Sequence, residues 1–321
     1  MRFGFAVKVL GRPELKSHDT RRWQSSPHLR HSLEYVREVL LYMQSKSLRM
    51  YRMSSDLAPY LTHPDLPRFH NQLEQCRDKL AAVGALARAF DIRLSVHPGQ
   101  FVVLNSADPD VARKSQADVV GVALLLDLMG LGPEAVLVIH GGSGAGGMEA
   151  ARERLIRGLS ALPAETLRRV ALENDESVFT VPDILRVHEA TGVRLVFDLL
   201  HFNLNNPDRQ WPVEALAAVL ATWPADVTPK IHLSSPRTEM HGNDGPASVR
   251  GKRMLTVRAP QWSQHSDYAN PFEVIRFLQD VRAAGLRPFD IMLELKAKDV
   301  GLLQLRRDLA RFAPELGEIW Q

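Results

Sequence analysis

The stretch S-V-H-P-G-Q-F, residues 95–101, joins the end of an apolar run to a turn. Residues 92–96 are typical of a short β-strand, and the pair Pro98-Gly99 forces the chain to turn directly after it. His97 is therefore predicted to lie at the exposed carboxyl end of a strand. An imidazole in that position can bind a ligand, so this stretch sets the expectation for the rest of the chain.

The same alternation of β-type and helical runs extends from residues 95–101 towards both ends of the chain. Eight strands are predicted, over residues 3–10, 48–53, 92–97, 136–140, 169–173, 194–198, 230–233 and 290–295. Helices are predicted over residues 33–43, 70–90, 109–129, 150–161, 182–190, 212–222, 271–284 and 302–312. This α/β pattern predicts a single TIM-type (β/α)8 barrel domain over residues 1–321, with the active site at the carboxyl ends of the strands. A doubly wound open sheet is the alternative, because alternation alone does not prove closure.

Length and composition exclude several classes of protein. The 321 residues include 40 Lys and Arg and 37 Asp and Glu, and the net charge of +3 argues against a histone-like or ribosomal protein. The one cysteine, Cys76, excludes an intrachain disulfide and a multi-cysteine zinc site, and favours a reducing compartment. No run approaches the roughly 18 apolar residues of a membrane span, and the N-terminus lacks a signal-peptide pattern. We therefore expect a cytoplasmic monomer that does not contact membranes.

Residues 234–268 form the longest stretch without a recognisable pattern. Loops of this length are uncommon in compact domains unless they are functional. Because the stretch follows the seventh predicted strand, we expect it at the active-site face, with a solvated surface loop as the alternative. Its basic residues include Arg237, Arg250, Lys252, Arg253 and Arg258.

Residues that can bind a metal ion recur at the carboxyl ends of the predicted strands. They are His97, His140, Glu173, Asp198, His201, Lys230, His232 and Glu294. A single histidine or glutamate there is more often structural, but six successive strands with such residues favour a metal centre. Imidazole and carboxylate ligands without thiolate suit Mn²⁺ or Zn²⁺, and a shared carboxylate can bridge two ions. Glu173 is the candidate bridge, because its strand is central in the strand order.

Six short motifs are spread over almost the whole chain. They are S-S-D-L at 54–57, H-P-G-Q-F at 97–101, L-E-N-D at 172–175, D-L-L-H at 198–201, K-I-H-L-S-S at 230–235 and H-S-D-Y at 265–268. Jointly they resemble the ultraviolet damage endonuclease family, which is similar to endonuclease IV in its barrel and trinuclear metal centre. The resemblance implies a DNA repair endonuclease that nicks damaged double-stranded DNA immediately 5′ to cyclobutane dimers, 6-4 photoproducts and, in many members, abasic sites, leaving a 3′-hydroxyl.

The resemblance also implies how three ions, Mn²⁺ or Zn²⁺, are held. One ion would be bound by His97, His140 and Glu173, and a second by Glu173, Asp198, His232 and Glu294. The third would be surrounded by His201, His265 and Lys230. Glu173, Lys230 and His232 are the expected catalytic residues. His265 lies in the long loop, where His241 is its rival, but H-S-D-Y is the matching motif.

Lys230 is expected to be modified. Side chains two residues apart on a strand share a face, so Lys230 faces the metals if His232 does. An ammonium group beside several divalent ions would be strongly repelled, so the amine should be neutral or converted to a carbamate. The resemblance favours the carbamate, carboxylysine. A lysine that turns away to bind substrate phosphate is the alternative.

Aromatic and basic residues are expected to contact DNA. Relatives commonly carry Gln-Tyr where this chain has Gln100-Phe101, and often a tyrosine where it has Phe5. The missing hydroxyls leave the stacking face of the rings unchanged. The residues expected at the lesion are Phe5, Gln100 and Phe101, and those expected at phosphates are Arg250, Lys252 and Arg253. A Phe101 ring buried in the core under the loop is the alternative.

Two further functions compete with the endonuclease hypothesis. A divalent-metal sugar isomerase would use the same ligand types, but it does not require His201, His265 or a basic loop. A DNA-lesion binder without activity would tolerate loss of ligands, whereas all of them are present in this chain. The leading hypothesis is therefore an endonuclease in which a metal-activated water attacks the phosphorus in line.

Overall fold

A computed structural model describes residues 1–243, 248–249, 252–253 and 256–319. Within these residues, eight parallel strands form one sheet. They are β1 (Phe3–Ala6), β2 (Met50–Met53), β3 (Arg93–Val96), β4 (Leu137–His140), β5 (Val170–Glu173), β6 (Arg194–Val196), β7 (Lys230–Leu233) and β8 (Asp290–Leu293). Each matches a predicted strand and is shorter than or equal to the predicted length.

The order of the strands shows that the sheet curls into a nearly closed barrel. Neighbours follow chain order from β6 down to β1, and β1 then pairs in parallel with β8, with Phe3 opposite Ile291. The remaining seam, between β6 and β7, is joined by a parallel bridge between Asp198 and His232. An open doubly wound sheet would not pair its first strand with its last, so the prediction of a TIM-type barrel is confirmed.

Helices surround the barrel. They span Leu29–Ser45, Gln72–Gln75, Arg77–Ala89, Pro109–Leu128, Met148–Ser160, Ala164–Leu167, Val181–Thr191, Leu199–Leu204, Pro212–Ala221, Pro271–Ala283 and Lys298–Phe312, and 3-10 turns span Trp23–Ser25, Pro67–Phe69 and Pro314–Ile319. The helix predicted over residues 70–90 is divided at Cys76, where φ of −113° and ψ of 14° leave the helical region. The apolar sides of the long helices pack on the outer face of the sheet and form the main core.

Side chains inside the barrel lie in levels, because alternate residues of a strand share a face. At the amino-terminal end, Arg93 of β3 donates to Asp290 of β8 at 2.9 Å and also to the carbonyl oxygen of Pro229 at 3.1 Å. One level higher, Lys230 donates to Ser95 at 3.2 Å. This packing fixes β3, β7 and β8 relative to one another, and these strands carry three of the predicted ligands at their carboxyl ends.

The stretch 234–268, predicted to be without pattern, contains two pairs of short antiparallel strands. His241–Asn243 pairs with Thr256–Arg258, and Ser248–Val249 pairs with Lys252–Arg253. The stretch expected to be a long loop therefore contains short paired strands. Strands of two or three residues are too short to show an apolar alternation, so they could not be predicted from hydrophobic periodicity. Among the described helices, none has the length and apolar character needed to cross a membrane.

Candidate metal centre

Four of the predicted ligands converge at the carboxyl end of the barrel. Single ligand atoms of His97, Glu173, His232 and Glu294 all lie within 4.8 Å of one another. Glu173 and His232 lie on β5 and β7, and His97 and Glu294 directly follow β3 and β8; the barrel brings these strands together although they are far apart in sequence. Two imidazoles and two carboxylates at this spacing are a donor set that suits a divalent cation.

A second group of ligand atoms consists of Glu173, Asp198 and His201, again within 4.8 Å of one another. Asp198 follows β6 and caps the helix Leu199–Leu204, because its side chain accepts from the His201 amide at 2.8 Å. The cap fixes the carboxylate and starts the helix that carries the imidazole. Glu173 belongs to both groups, as expected of a bridging ligand.

Glu173 is fully buried and surrounded by histidines. Its Oε1 lies 2.6 Å from His232 Nδ1, and its Oε2 lies 3.0 Å from His97 Nε2. Burial alone would raise its pKa, but His232 and His140, together with these hydrogen bonds, hold the pKa well below its usual value. The residue is therefore a carboxylate with both oxygens directed at candidate ligand partners.

The described part of the site contains three buried polar atoms without a hydrogen-bond partner: His140 Nδ1, Asp198 Oδ2 and His232 Nε2. An unsatisfied buried polar atom costs about 1–3 kcal/mol. Burial, followed by the nearby Glu173 and Glu294, raises the pKa of Asp198 to about 7 against the opposing effect of His201. Clustered orphan donors and acceptors of this kind fit residues that bind a cation, so the residues present are compatible with metal ions.

His201 lies among carboxylates. Its Nδ1 is 3.0 Å from the Asn174 carbonyl oxygen and 3.8 Å from both Glu173 Oε1 and Asp198 Oδ1. Burial lowers its pKa, but the carboxylates outweigh burial, Asp198 and Glu173 most strongly, and raise the pKa to about 9. The imidazole therefore compensates negative charge when no other cation does so.

His140 and His265 lie at the edges of the two groups. His140 Nε2 is 3.8 Å from Glu173 Oε2, and its ring centroid is 4.9 Å from that of His97. His265 Nε2 is 3.5 Å from Glu294 Oε2, and its Nδ1 is 2.6 Å from Ser234 Oγ. The rival histidine, His241, lies in the strand His241–Asn243, whose side chains are outside the described part of the structure, so the choice of His265 over His241 stays a prediction.

The expected division of these residues among three ions stays a prediction. His97 lies in one group with Glu173, His232 and Glu294, and His201 lies in the other with Glu173 and Asp198. The rings of His201 and His265 are nevertheless neighbours, with centroids 5.9 Å apart.

Lys230 is fully buried one level below His232, and its Nζ donates to Ser95 Oγ. Burial, and then the positive charges of Arg93 and Arg52, hold the pKa of its amine well below the usual value. This supports the part of the prediction that the amine is not an ordinary ammonium group.

Two residues of the site were not predicted from the sequence. Arg52 of β2 forms an ion pair with Glu294 Oε1. Asn174 donates to the carbonyl oxygen of Asp198 at 3.1 Å and accepts from its amide at 2.9 Å. Asn174 directly follows Glu173 in the motif L-E-N-D, which was a signal for it, whereas Arg52 gives no signal beyond its place two residues before S-S-D-L.

The aromatic residues predicted to contact DNA differ in their exposure to solvent. Phe101 is 86% exposed on the loop after β3, with Gln100 exposed beside it, so the interpretation of Phe101 as a core residue is wrong. Phe5 is 0% exposed, and its ring centroid lies 5.3 Å from that of Tyr51. The prediction that Phe5 contacts DNA is therefore wrong, because this side chain packs in the core between sheet and helices.

Of the three basic residues predicted at phosphates, Arg250 lies outside the described residues. Lys252 and Arg253 form a strand paired with Ser248–Val249, for which the structure gives backbone pairing. Their contact with DNA stays a prediction.

Comparison with known proteins identifies the family. The model of the family described as UV-endonuclease UvdE matches residues 17–316. This chain belongs to that family. Membership of this family supports the assignment of the chain as a DNA repair endonuclease. The two groups of candidate ligands are compatible with metal binding by the protein.

Individual relatives agree with the family assignment. The UV DNA damage endonuclease of Halalkalibacterium halodurans is 31% identical over 286 residues, covering 89% of this chain and 81% of the relative. The crystal structure of SacUVDE matches with a TM-score of 0.79 at 28% identity, covering 97% of this chain and 98% of that one. D-psicose 3-epimerase from Clostridium cellulolyticum H10 matches with a TM-score of 0.54 at 12% identity, over 98% of this chain and 92% of its own, which shows a shared fold alone.

Proposed function

We propose that the protein is a metal-dependent endonuclease that nicks duplex DNA immediately 5′ to cyclobutane dimers and 6-4 photoproducts, and also at abasic sites, leaving a 3′-hydroxyl. The observation that carries the proposal is the position of Glu173, which is shared by two groups of imidazole and carboxylate ligands. A carboxylate shared in this way suits a multinuclear metal centre, which phosphodiester hydrolysis commonly uses.

The donor set favours Mn²⁺ or Zn²⁺, and we propose three ions. The first group would hold one ion and the second group another, with Glu173 common to both. His140, His265 and Lys230 lie around these groups and would complete the remaining coordination. When bound, the ions supply Lewis-acid stabilisation of the charge that develops on the phosphate, and they activate a water molecule.

The residues of the chain would orient this chemistry. Asn174 holds the backbone of Asp198, and Asp198 holds the start of the helix that carries His201. Arg52 holds one oxygen of Glu294. These contacts fix ligand positions before substrate binds, which reduces the reorganisation that the reaction requires.

Lys230 would be carboxylated. Its neutral amine, buried beside Ser95, is the form that can capture carbon dioxide, and a carbamate would add an oxygen ligand of negative charge near the ions. Electron density at the tip of this side chain in the metal-loaded enzyme tests the proposal, and an unmodified amine directed away from every ion would refute it.

The exposed loop after β3 would detect the lesion. We propose that Phe101 enters the base step that the lesion has weakened, while Gln100 meets the edge of an unpaired base. Unstacking a base step costs a few kcal/mol and less where damage has already disturbed the stack, so a wedge selects damaged sites. Arg250, Lys252 and Arg253 would contact phosphates nearby.

The function is tested with a duplex that carries one cyclobutane dimer, incubated with the purified protein with and without Mn²⁺. We expect one nick, 5′ to the dimer and dependent on the metal, whose product a polymerase can extend from its 3′-hydroxyl. An undamaged duplex of the same sequence is the control. Equal cleavage of the two duplexes, or no cleavage with either Mn²⁺ or Zn²⁺, would reject the proposal.

A further inference from the structure

Three lysines lie at the carboxyl end of the barrel, where its first and last strands end. Lys8 follows β1, and Lys296 and Lys298 follow β8. Lys8 and Lys296 are exposed, and Lys298 is half-buried. Among the residues that the structure describes, none of these three side chains has an ion-pair or hydrogen-bond partner. These residues are the lysine cluster.

The positive charges of the lysine cluster act on one another. Burial lowers the pKa of Lys298, and the positive charges of Arg52, Lys296 and Lys8 lower it further, against the attraction of Glu294, to about 8. Like charges that are this close repel one another, so an anion placed among them would be attracted by all of them.

The carboxylates nearest to the lysine cluster are engaged elsewhere. Glu294 is ion-paired with Arg52. Asp299 is fully buried, and its Oδ1 accepts from the amide of Leu10 at 2.6 Å while its Oδ2 accepts from the hydroxyl of Tyr42 at 2.7 Å. Neither carboxylate neutralises a lysine of the cluster, so the positive charge is left for a ligand.

The backbone is strained at both segments that carry the lysine cluster. Val7 has φ of 65° in a three-residue turn, in which the amide of Lys8 donates to the carbonyl oxygen of Ala6 at 2.8 Å. Lys298 has φ of 51°. Positive φ is unfavourable for residues with a side chain, and most of all for a β-branched one. Strained positions of this kind cluster at ligand-binding sites.

The start of the last helix adds to the attraction for an anion. The helix Lys298–Phe312 begins within the lysine cluster, and Ala297 before it supplies no side-chain acceptor to its first amides. The start of a helix favours negative charge, and in TIM barrels a helix start beside the last strands often binds phosphate. Lys296 and Lys298 lie only two and four residues beyond Glu294, a candidate metal ligand. An anion held here would therefore lie beside the metal centre.

We propose that Lys8, Lys296 and Lys298 bind one backbone phosphate of the DNA strand, next to the phosphate that is cleaved. Contacts to phosphates fix the register of a protein on DNA without reading its sequence. The lysine cluster would thus position the strand so that the linkage to be cleaved lies on the metal centre. The proposal rests on the proposed function, because it takes DNA as the substrate of that centre.

The first test measures the affinity for a duplex that carries one cyclobutane dimer, in chelator so that no cleavage occurs, over a series of salt concentrations. We expect the triple variant Lys8→Gln/Lys296→Gln/Lys298→Gln to bind about 10-fold more weakly than the parent. The slope of log affinity against log salt should flatten by about one unit, because one phosphate is no longer neutralised. Lys46→Gln is the matched control, because Lys46 is an exposed lysine shortly before β2, at the opposite end of the barrel.

The second test identifies the phosphate with duplexes in which one phosphodiester at a time is an uncharged methylphosphonate. The two linkages on each side of the one to be cleaved are replaced in turn. At one of them we expect the parent and the triple variant to bind equally, because the charge that the lysines recognise is gone. Lys8→Gln alone, which changes an exposed side chain, should lose its deficit at the same linkage, and it decides the matter if the triple variant does not fold.

An unchanged salt slope, or a deficit that persists equally with every methylphosphonate duplex, would overturn the proposal. An equal loss of affinity in Lys46→Gln would overturn it as well. Failure of the lysine cluster and failure of the proposed function are distinguishable. A parent that nicks the dimer-containing duplex, with a triple variant that binds it as the parent does, retains its function and loses the phosphate site. Lysine-dependent binding that couples to one linkage, without nicking when metal is added, gives the reverse.

Discussion

Arg52 on β2 is ion-paired with Glu294 at the end of β8, although β1 lies between these two strands. Both side chains therefore point into the barrel and meet across it. Burial alone would raise the pKa of Glu294, but Arg52 and then His232 lower it well below the usual value, so the carboxylate stays ionised. The arginine thus sets both the charge and the position of a candidate ligand.

We expect Arg52→Gln to weaken metal binding by about 10–100-fold, the usual effect of losing a residue that orients a ligand. Arg52→Lys should lose less metal affinity, because lysine keeps the positive charge although it lacks the forked geometry of the guanidinium group. Metal content after equilibrium dialysis against Mn²⁺ is the measurement. Arg37→Gln is the control, because Arg37 pairs with Glu38 on the surface at 2.7 Å. Parent-like metal affinity in Arg52→Gln would show that the pair serves the fold alone.

Glu173→Ala should abolish nicking while the barrel stays folded. The substitution removes a carboxylate common to both ligand groups, and we expect a loss of at least about 100-fold in single-turnover rate, since a bound metal supplies several kcal/mol. Glu189→Ala, at an exposed position of the helix Val181–Thr191, is the matched control. Single-turnover cleavage is measured beside a melting curve, and activity within tenfold of the parent would contradict the bridging role.

Phe101→Ala should reduce discrimination between damaged and undamaged duplexes by about 5- to 150-fold, which corresponds to one lost stacking contact. Its melting temperature should not change, because the ring is exposed and packs little in the free protein. Affinities for the two duplexes are compared with those of Phe312→Ala, a partly exposed phenylalanine in the helix Lys298–Phe312. If Phe101→Ala weakens binding of both duplexes equally, the ring does not act as a wedge.

Asp19 should stabilise the fold in a pH-dependent way. It accepts from the guanidinium of Arg21 at 2.6 Å and from the amide of His28 at 3.0 Å, and these bonds, Arg21 first, lower its pKa despite burial. A carboxyl whose folded pKa is below its unfolded value of about 3.9 contributes fully above that value and loses the contribution as pH falls.

Asp19→Asn should therefore lower the free energy of unfolding by about 1–3 kcal/mol at pH 7, and the difference from the parent should shrink below about pH 4. Urea unfolding at pH 7 and pH 3.5 measures it, provided that both proteins are folded before urea is added. Glu14→Gln is the control, because Glu14 is an exposed partner of Arg12, and it should change the free energy of unfolding far less than Asp19→Asn does. A difference independent of pH would show that the Asp19 charge is not the cause.

The sequence predicts the barrel and most of the site, because strand alternation and strand-end ligands are local features. It cannot decide which face of a strand points into the barrel when both faces are buried. The prediction that Phe5 contacts DNA is wrong for this reason. Arg52 was missed because its partner depends on which strands meet across the barrel. The paired strands within 234–268 were missed because they are too short for periodicity. The single-domain assignment over residues 1–321 stays a prediction.

The seam between β6 and β7 links barrel closure to metal loading. Among the described residues these strands are joined through the bridge of Asp198 and His232 and the bond from the His232 amide to the Phe197 carbonyl oxygen at 2.9 Å. Both bridge residues are candidate ligands, so ions bound there would tie together the two strands that the backbone joins least. A chelator would then act as a local denaturant of the barrel. Faster amide hydrogen exchange in Lys230–Leu233 than in Met50–Met53 after metal removal would reveal it, and equal change in both strands would exclude it.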